Sequence, residues 1–510
     1  MPLPVASIPW PPKQLEQITP VLRRWDAWWT GDPTALTSAY QAYSGVLLDR
    51  PSQHRGGVVG ALARFWWGRP LADLSQHRDQ THVPLAADIA RTSADLLFAE
   101  PPSITVKDAA TQTRIEGALE EHLLATLTGA AEQGAALGGS WLRVVWDGDV
   151  ADAAFVAPVT ADHAVPEMVW GRLRAVTFWT VLDRDGSDVI RHLERHELID
   201  GIGYVQHGLY LGTVTDLGRR LSLSEHQVTR GLVDAVDADG YITAGRTPGL
   251  GAVYVPNTEP STSRAWRHIP SAAGLGAADI DGIEPLLDNL DEVHASWLRD
   301  LRLSKARLLV SREMLEDLGP GRGATFNLDT EIFSPLKIAP AENGTSPITP
   351  AQFAIRFAEH QATAEHWGTQ IVRAAGYSQA TFGEQGQSAQ TATEVVARQS
   401  RTMLTRDRKI RAWRPALRTL VTKLLLTDAA VFQKHGDPTD LAVAFPDGIS
   451  ETQLQLAQTA LALKSAGAAS TRSLVALTHP DWTDLQVDEE AAKIGAEQPG
   501  AAADPYAFTG

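Results

Sequence analysis

Apolar positions recur with two different periods along this chain. In the first stretch the step is helical: Val21, Leu22, Trp25, Trp28 and Trp29 share one face of a helix predicted over residues 13–45. A loop rich in Gly, Arg and Gln is expected from there to about residue 82. The helical step resumes from Leu85 to Phe98. It stops at Glu100-Pro101-Pro102, because proline lacks a backbone donor and drives the residue before it out of the helical region. A third helix is predicted over Ile115 to Leu137, with Gly138-Gly139 as its C-terminal stop.

The step then shortens to two. Trp141 to Trp146, Ala175 to Trp179, Val189 to Ile199 and Tyr204 to Leu211 are rich in β-branched and aromatic residues, and turn residues such as Asp147-Gly148 separate the runs. Residues 140–260 therefore read as a mainly antiparallel sheet region.

Helix returns at Ile280, where Ile283, Leu286, Leu287, Leu290, Val293, Trp297, Leu298 and Leu301 recur at steps of three and four. A short mixed segment follows to about Thr349, with Gly319 to Gly323 as its turn. Thr349-Pro350 is expected to open another helix, running through Phe353, Ile355, Phe357, His360 and Trp367 to about Ala375. A polar loop rich in Gly and Gln then leads into a long helix from about Thr393 to Leu426. Ser450-Glu451-Thr452-Gln453 is a capping box for a helix ending near Gly467. Shorter helices are predicted at Thr471 to Leu477 and Asp484 to Glu497, and the tail 499–510 reads as disordered. The fold class is α+β, predominantly helical.

Charge sharpens this picture. The chain of 510 residues carries a formal net charge of −16. Yet the long helix holds Arg398, Arg401, Arg406, Arg408, Lys409, Arg411, Arg414, Arg418 and Lys423 against the single acid Asp407. A positive block in an acidic chain calls for a partner: nucleic acid, an acidic surface of a neighbouring copy, or solvent. Cysteine is absent, which excludes disulfides, thiolate zinc sites and cysteine nucleophiles. No apolar run reaches the length of a membrane span, and no signal peptide is expected at Met1 to Ala6. The 15 tryptophans, two pairs among them, are expected mainly in cores and subunit interfaces.

Reactive chemistry is hard to find. Gly319-Pro320-Gly321-Arg322-Gly323 resembles a phosphate loop only in its glycines, since no Lys-Ser or Lys-Thr follows. His192, Glu194 and His196 alternate, so on a strand they share a face and could bind a metal, although histidines on such a face are ordinarily solvated surface residues. No nucleophile or zinc-protease motif occurs. Catalytic residues, metal ligands and cofactors are therefore not assigned, and the chain reads as no enzyme.

The order of elements is the broader clue: helices, sheet, long helix, mixed insertion, returning helix, polar loop, basic helix, terminal helices. This resembles the portal proteins, or head-to-tail connectors, of tailed double-stranded DNA bacteriophages, siphophage type. Leu85 to Pro101 is similar to that family's early helix and its proline-containing exit. Asp279 to Leu290 is similar to the opening of its first stem helix. Tyr377 to Glu394 is similar to its tunnel-loop region and the start of its long wing helix. Near Trp28-Trp29-Thr30-Gly31-Asp32-Pro33 the chain departs from the common pattern.

The resemblance implies a wing over residues 1–279, a first stem helix at 280–305, a clip at 306–349 and a second stem helix at 350–375. A tunnel loop and long wing helix would follow at 376–426, then a crown with its connection at 427–498. It implies a ring, usually of twelve subunits, around a channel for double-stranded DNA at one capsid vertex. The genome would be packaged and ejected through it. The implied partners are the major capsid protein, the terminase large subunit and the head-tail adaptor, with no membrane; the implied location is the virion, after synthesis in the host cytoplasm. Tunnel-loop candidates for touching DNA are Gln385, Gln387, Ser388, Gln390 and Thr391, whose neutral groups hydrogen-bond phosphate without the strong, salt-dependent hold of a cation ring. Stem and clip candidates for facing the channel are position 300, Lys305 and Arg307. Arg398, Arg401, Arg408, Arg411 and Arg414 are expected at subunit interfaces. The alternatives are another phage capsid or head-completion structural protein, and a metal-dependent DNA-processing enzyme.

Overall fold

The computed structural model of the chain describes residues 3–4, 7–44, 81–304, 307–310, 316–317, 324–325, 348–351, 355–383, 392–434, 436–446, 460–479 and 484–497. They belong to two compact units, residues 1–445 and 446–510. About half of the structure is helical, and every sheet is antiparallel, an α+β fold.

The N-terminal helix predicted as one piece is three: Lys13–Glu16, Thr19–Thr30 and Pro33–Ser44. Gly31 explains the second break. It ends the middle helix in the left-handed conformation, φ 67°, and Asp32 then caps the next helix by accepting from the Ala35 amide at 2.8 Å. The tryptophan face is as expected, with Trp25 and Trp28 fully buried. The Leu85–Phe98 helix packs on a helix that begins at Ala109, six residues ahead of the predicted start. Asp108 sets that start, its carboxylate accepting from the Thr111 amide at 2.8 Å. The helix passes through a π segment at Leu119–Leu123 and runs on to Leu137. Gly138 ends it at φ 89°, where an added Cβ would lie 2.7 Å from the Gly276 carbonyl oxygen; neither the conformation nor the space admits a side chain.

The predicted sheet region is two sheets. Gly139–Val145 is the centre of a three-stranded sheet, between Phe155–Val159 and Ala252–Pro256. Ala164–Val169, Arg172–Asp185, Asp188–Ile199, Ile202–Gly212 and Arg219–Leu221 pair in chain order as a five-stranded meander. Between residues 222 and 251 the chain makes turns and short helical segments with isolated bridges, so the sheet region is less continuous than expected.

The Glu284–Leu303 helix opens with Pro285 in its first turn. Its apolar face is buried at the start, at Leu287 and Leu290, and open near the end, where Leu301 is exposed. It runs beside the Phe357–Ala375 helix, with Trp297 stacked on His360 at 6.0 Å and edge-on to Phe357 at 5.4 Å. Between the two helices, Arg307–Val310 pairs with Ile348–Ala351, and inside that ladder Glu316–Asp317 pairs with Ala324–Thr325. Thr349-Pro350 therefore does not open a helix. Pro350 lies in a strand opposite Leu308, and the helix begins only at Phe357. A two-stranded ladder has free edges, so a residue without an N–H fits there, and the extended bias of the residue before proline favours the strand. The turn expected at Gly319 to Gly323 lies outside the described residues.

The long helix, Ala392–Val431, spans 40 residues and continues through Pro415. Ile410, Trp413, Leu417, Leu420, Val421 and Leu424 form its buried side, over the Leu85–Phe98 helix and the three-stranded sheet. In the second unit a helix ends at residue 465 and Gly467 follows at φ 62°, while its expected capping box lies outside the described residues. Ser470 caps Thr471–Thr478, and Asp484–Glu497 follows with an Arg472–Asp488 ion pair between the two. The tail 499–510 is outside the described residues.

Candidate functional site

The long helix sorts its cations by face. Arg401, Arg408, Arg411, Arg414 and Arg418 recur at steps of seven, three, three and four, and all are exposed. Among the described residues none of these five has an ion-pair partner. Arg398 lies in the same helix, its side chain outside the described set. Arg406, Lys409 and Lys423 sit on the opposite, apolar side and are buried. A buried cation must be hydrogen-bonded or paired. Arg406 donates from Nε to the Leu96 carbonyl at 2.6 Å. Lys423 donates to the carbonyls of Thr247 at 2.9 Å and Gly249 at 2.8 Å; burial pushes its ammonium down to about 8.

Lys409 is the centre of a junction. Its Nζ reaches Asp279 Oδ1 at 2.8 Å, Asp279 Oδ2 at 2.6 Å and Ser93 Oγ at 2.5 Å. Asp279 also accepts from Tyr377 Oη at 2.8 Å and from Asn257 Nδ2 at 2.8 Å, and its own amide donates to the Ala135 carbonyl at 2.9 Å. Six elements or element ends thus meet around Asp279 and Lys409: two early helices, the sheet edge, the lead-in to the Glu284–Leu303 helix, the exit of the Phe357–Ala375 helix, and the long helix. Burial lowers the Lys409 ammonium against the opposing pull of Asp279. Burial and then the Asp279 charge raise the Tyr377 hydroxyl well above its ordinary value, so Tyr377 is a hydrogen-bond donor here.

Hydroxyls fasten the next segment. Gly376 closes the Phe357–Ala375 helix at φ 97°, and its carbonyl accepts from Thr405 Oγ1 at 2.6 Å. The Ser378 amide donates to Thr402 Oγ1 at 2.9 Å, and Thr381 Oγ1 lies 2.8 Å from the same oxygen. A short 3-10 segment, Gln379–Phe382, then ends at Gly383. The segment leading into 384–391 is therefore held against the long helix on its polar side chains. Gln385, Gln387, Ser388, Gln390 and Thr391 themselves lie outside the described residues.

Position 300 is a correction. The residue there is Asp300, an acid and not a cation like Lys305 and Arg307, with which it was grouped as facing the channel. Its carboxylate accepts from Arg356 Nε at 3.1 Å and Nη2 at 3.0 Å and lies 2.9 Å from His360 Nε2. The hydrogen bonds from His360 and then Arg356 hold its carboxyl pKa below the ordinary aspartate value. It ties the end of one long helix to the start of the next, and carries no positive charge to a channel. Arg307 lies in the strand opposite Ala351; Lys305 is outside the described residues.

His192, Glu194 and His196 do share one face of their strand, but that face is not solvated. Glu194 and His196 are buried, together with His207 on the next strand. Glu194 accepts from Arg143, and its Oε1 lies 2.6 Å from His196 Nε2; His192 Nε2 lies 3.0 Å from His207 Nδ1. The set is an internal charge network, with the carboxylate spent on its neighbours.

Sequence reasoning missed Asp279, Thr402 and Thr405 as anchors. Asp279 opens the stretch that resembles the start of the first stem helix, but its partner Lys409 is 130 positions away and no local spacing connects them.

Residues 252–503 match the family model described as phage portal protein, SPP1 Gp6-like. The match begins at the third strand of the three-stranded sheet and includes the two paired helices, the insertion between them, the long helix and the terminal helices. No curated protein matches the chain.

Proposed function

The chain belongs to the phage portal proteins, a structural family, and from that premise we propose that it closes into a ring around a DNA channel at one capsid vertex. Double-stranded DNA enters through this channel during packaging and leaves through it on ejection. The terminase large subunit and then the head-tail adaptor dock on the ring, and the major capsid protein surrounds it. The observation that carries this reading is the family match over the helix–insertion–helix–long-helix order, with a strand ladder enclosing the insertion. The paired helices correspond to a stem, the insertion at 306–349 to a clip, residues 1–279 with the long helix to a wing, and 427–498 to a crown and its connection. No described helix is long and apolar enough to cross a membrane.

A ring of acidic copies needs complementary interfaces, and a closed ring needs a heterologous one. The arginines at 398, 401, 408, 411 and 414 offer one side and oppose the chain's net charge of −16; the exposed Arg401, Arg408, Arg411 and Arg414 have no ion-pair partner among the described residues. The loop at 384–391 is assigned to the channel, its Gln and Ser side chains sliding past phosphates.

Mass photometry and negative-stain imaging of the purified protein test the reading: closed rings with a central opening are expected, and a monomer that persists at high concentration overturns it. Arg408→Glu with Arg411→Glu should prevent ring closure, whereas Gln387→Lys with Gln390→Lys should leave rings intact and make DNA passage slow and salt-sensitive. Packaging that ignores the second pair of changes at low salt overturns the loop assignment.

A further inference from the structure

The five-stranded sheet ends in two tight hairpins that look alike in backbone and differ in chemistry. Val169 pairs with Arg172 across Trp170-Gly171, and Ile199 pairs with Ile202 across Asp200-Gly201. All four turn residues are left-handed: φ is 54° and 74° in the first pair, 49° and 80° in the second. Asp-Gly is a natural occupant of such a turn. Tryptophan is not, because a bulky side chain in the left-handed region is sterically disfavoured. Nothing in the fold compensates, since Trp170 is 98% exposed, in a chain whose Trp25 and Trp28 are 0% exposed. Strand register puts both hairpins at the same end of the sheet, opposite the third one at Gly186-Ser187. That end also exposes Val169, Leu198 and Ile199. Arg172 and Arg174 rim it, exposed and without an ion-pair partner among the described residues.

We propose that Trp170 is an anchor by which this sheet end docks onto a second copy of the chain. The inference rests on the ring reading. Large aromatic side chains ringed by arginine are the groups that dominate protein interfaces. The cationic rim complements a surface of net negative charge, which another copy of this chain presents. An isologous contact is not required: in a ring the anchor of each copy meets a different patch on one neighbour, head to tail.

The test uses the full-length protein. Trp170→Asn should leave the unfolding midpoint of dissociated protein unchanged or higher, because asparagine tolerates the left-handed turn, while raising the concentration needed for ring assembly at least tenfold. A structural role for Trp170 would instead lower the midpoint. Val169→Cys supplies the sole thiol of a chain without cysteine, and its labelling should slow on assembly. Wild-type protein that never assembles overturns the ring reading and this inference with it. Rings that form equally well from the Trp170→Asn protein, or a thiol labelled equally fast in rings, overturn the inference alone. So does a variant that forms normal rings but loses capsid incorporation or DNA binding, which would give the anchor to another partner.

Discussion

The helix junction at Asp279 and the strand network at Glu194 both bury charge, but they assemble it differently. In the sheet, partners are neighbours in register: Arg195 meets Glu197 two residues on and Glu167 two strands over, while Glu194 meets His196 on its own strand and Arg143 from the other sheet. At the junction, Lys409, Tyr377, Asn257 and Ser93 come from separate parts of the chain to Asp279 or its cation. The sheet network ties strands of the five-stranded sheet to one another and, through Arg143, to the neighbouring three-stranded sheet. The junction binds together segments far apart in the chain, from Ser93 and Ala135 to Tyr377 and Lys409, so its loss should spread, and a sheet lesion should stay more local.

The largest effect is expected from Asp279→Ala. It leaves the buried Lys409 ammonium without its counter-charge, bonded only to Ser93 Oγ, and should cost about 3–5 kcal/mol, read from urea unfolding. Asp279→Leu combined with Lys409→Met should recover part of that loss, because no unpaired charge is left, although the Tyr377 hydroxyl still loses its acceptor. If Asp279→Ala is nearly silent, the junction is not the stronger of the two sites.

Acid should find the sheet first. Burial pushes the His207 imidazole down to about 4 from 6.5. Burial alone would raise the Glu194 carboxyl, but the His196 hydrogen bond and the Arg143 charge overcome it and hold the group well below 4.5. In both cases the unfolded chain binds the proton more readily. The contribution of these two groups is therefore complete above pH 6.5, falls toward pH 4 as the unfolded form of His207 takes its proton, and falls further below 4.5 through Glu194. The His207 part should amount to about 3 kcal/mol, and His207→Gln should flatten the decline between pH 6.5 and 4 in a melting series. An identical decline in the variant would remove His207 from the explanation.

Lys423→Met should cost about 1–2 kcal/mol at neutral pH by leaving the Thr247 and Gly249 carbonyls short of a donor. The wild type should also gain stability as pH rises from about 8 toward 10.5, where the unfolded chain keeps a proton that the folded one has released; the variant should lack that gain. The smallest effect is expected from Thr402→Val, about 1 kcal/mol, with faster hydrogen exchange at the Ser378 amide as its local mark. Unchanged exchange there would mean that Thr402 does not hold the lead-in to the loop.

Periodicity and end signals alone located most elements in this chain. The tryptophan face, the Leu85–Phe98 helix, the stop at Gly138, the turn from helix to sheet and the Asp484–Glu497 helix follow from spacing, proline and glycine, because those constraints act within a few residues. The same local reasoning went astray at Pro350, which is compatible with both a helix start and a free strand edge; only pairing with Leu308 decided between them. It also misjudged the face of His192, Glu194 and His196: alternation puts the three side chains together, but whether water or Arg143 covers them depends on a second sheet.

The long helix shows the division most clearly. Its start and its cations were plain in the sequence, although it runs past the expected end at Leu426 to Val431, and the steps separating Arg401, Arg408, Arg411, Arg414 and Arg418 put them on one side. That Arg406, Lys409 and Lys423 would be buried and satisfied, by a carbonyl, a distant carboxylate and a pair of loop carbonyls, was decided by tertiary structure. The physical reason is range. Helical periodicity and capping act through bonds and contacts a few residues apart, whereas a buried charge is stable only if groups from elsewhere in the chain arrive at hydrogen-bonding distance, and no local pattern encodes which ones they are.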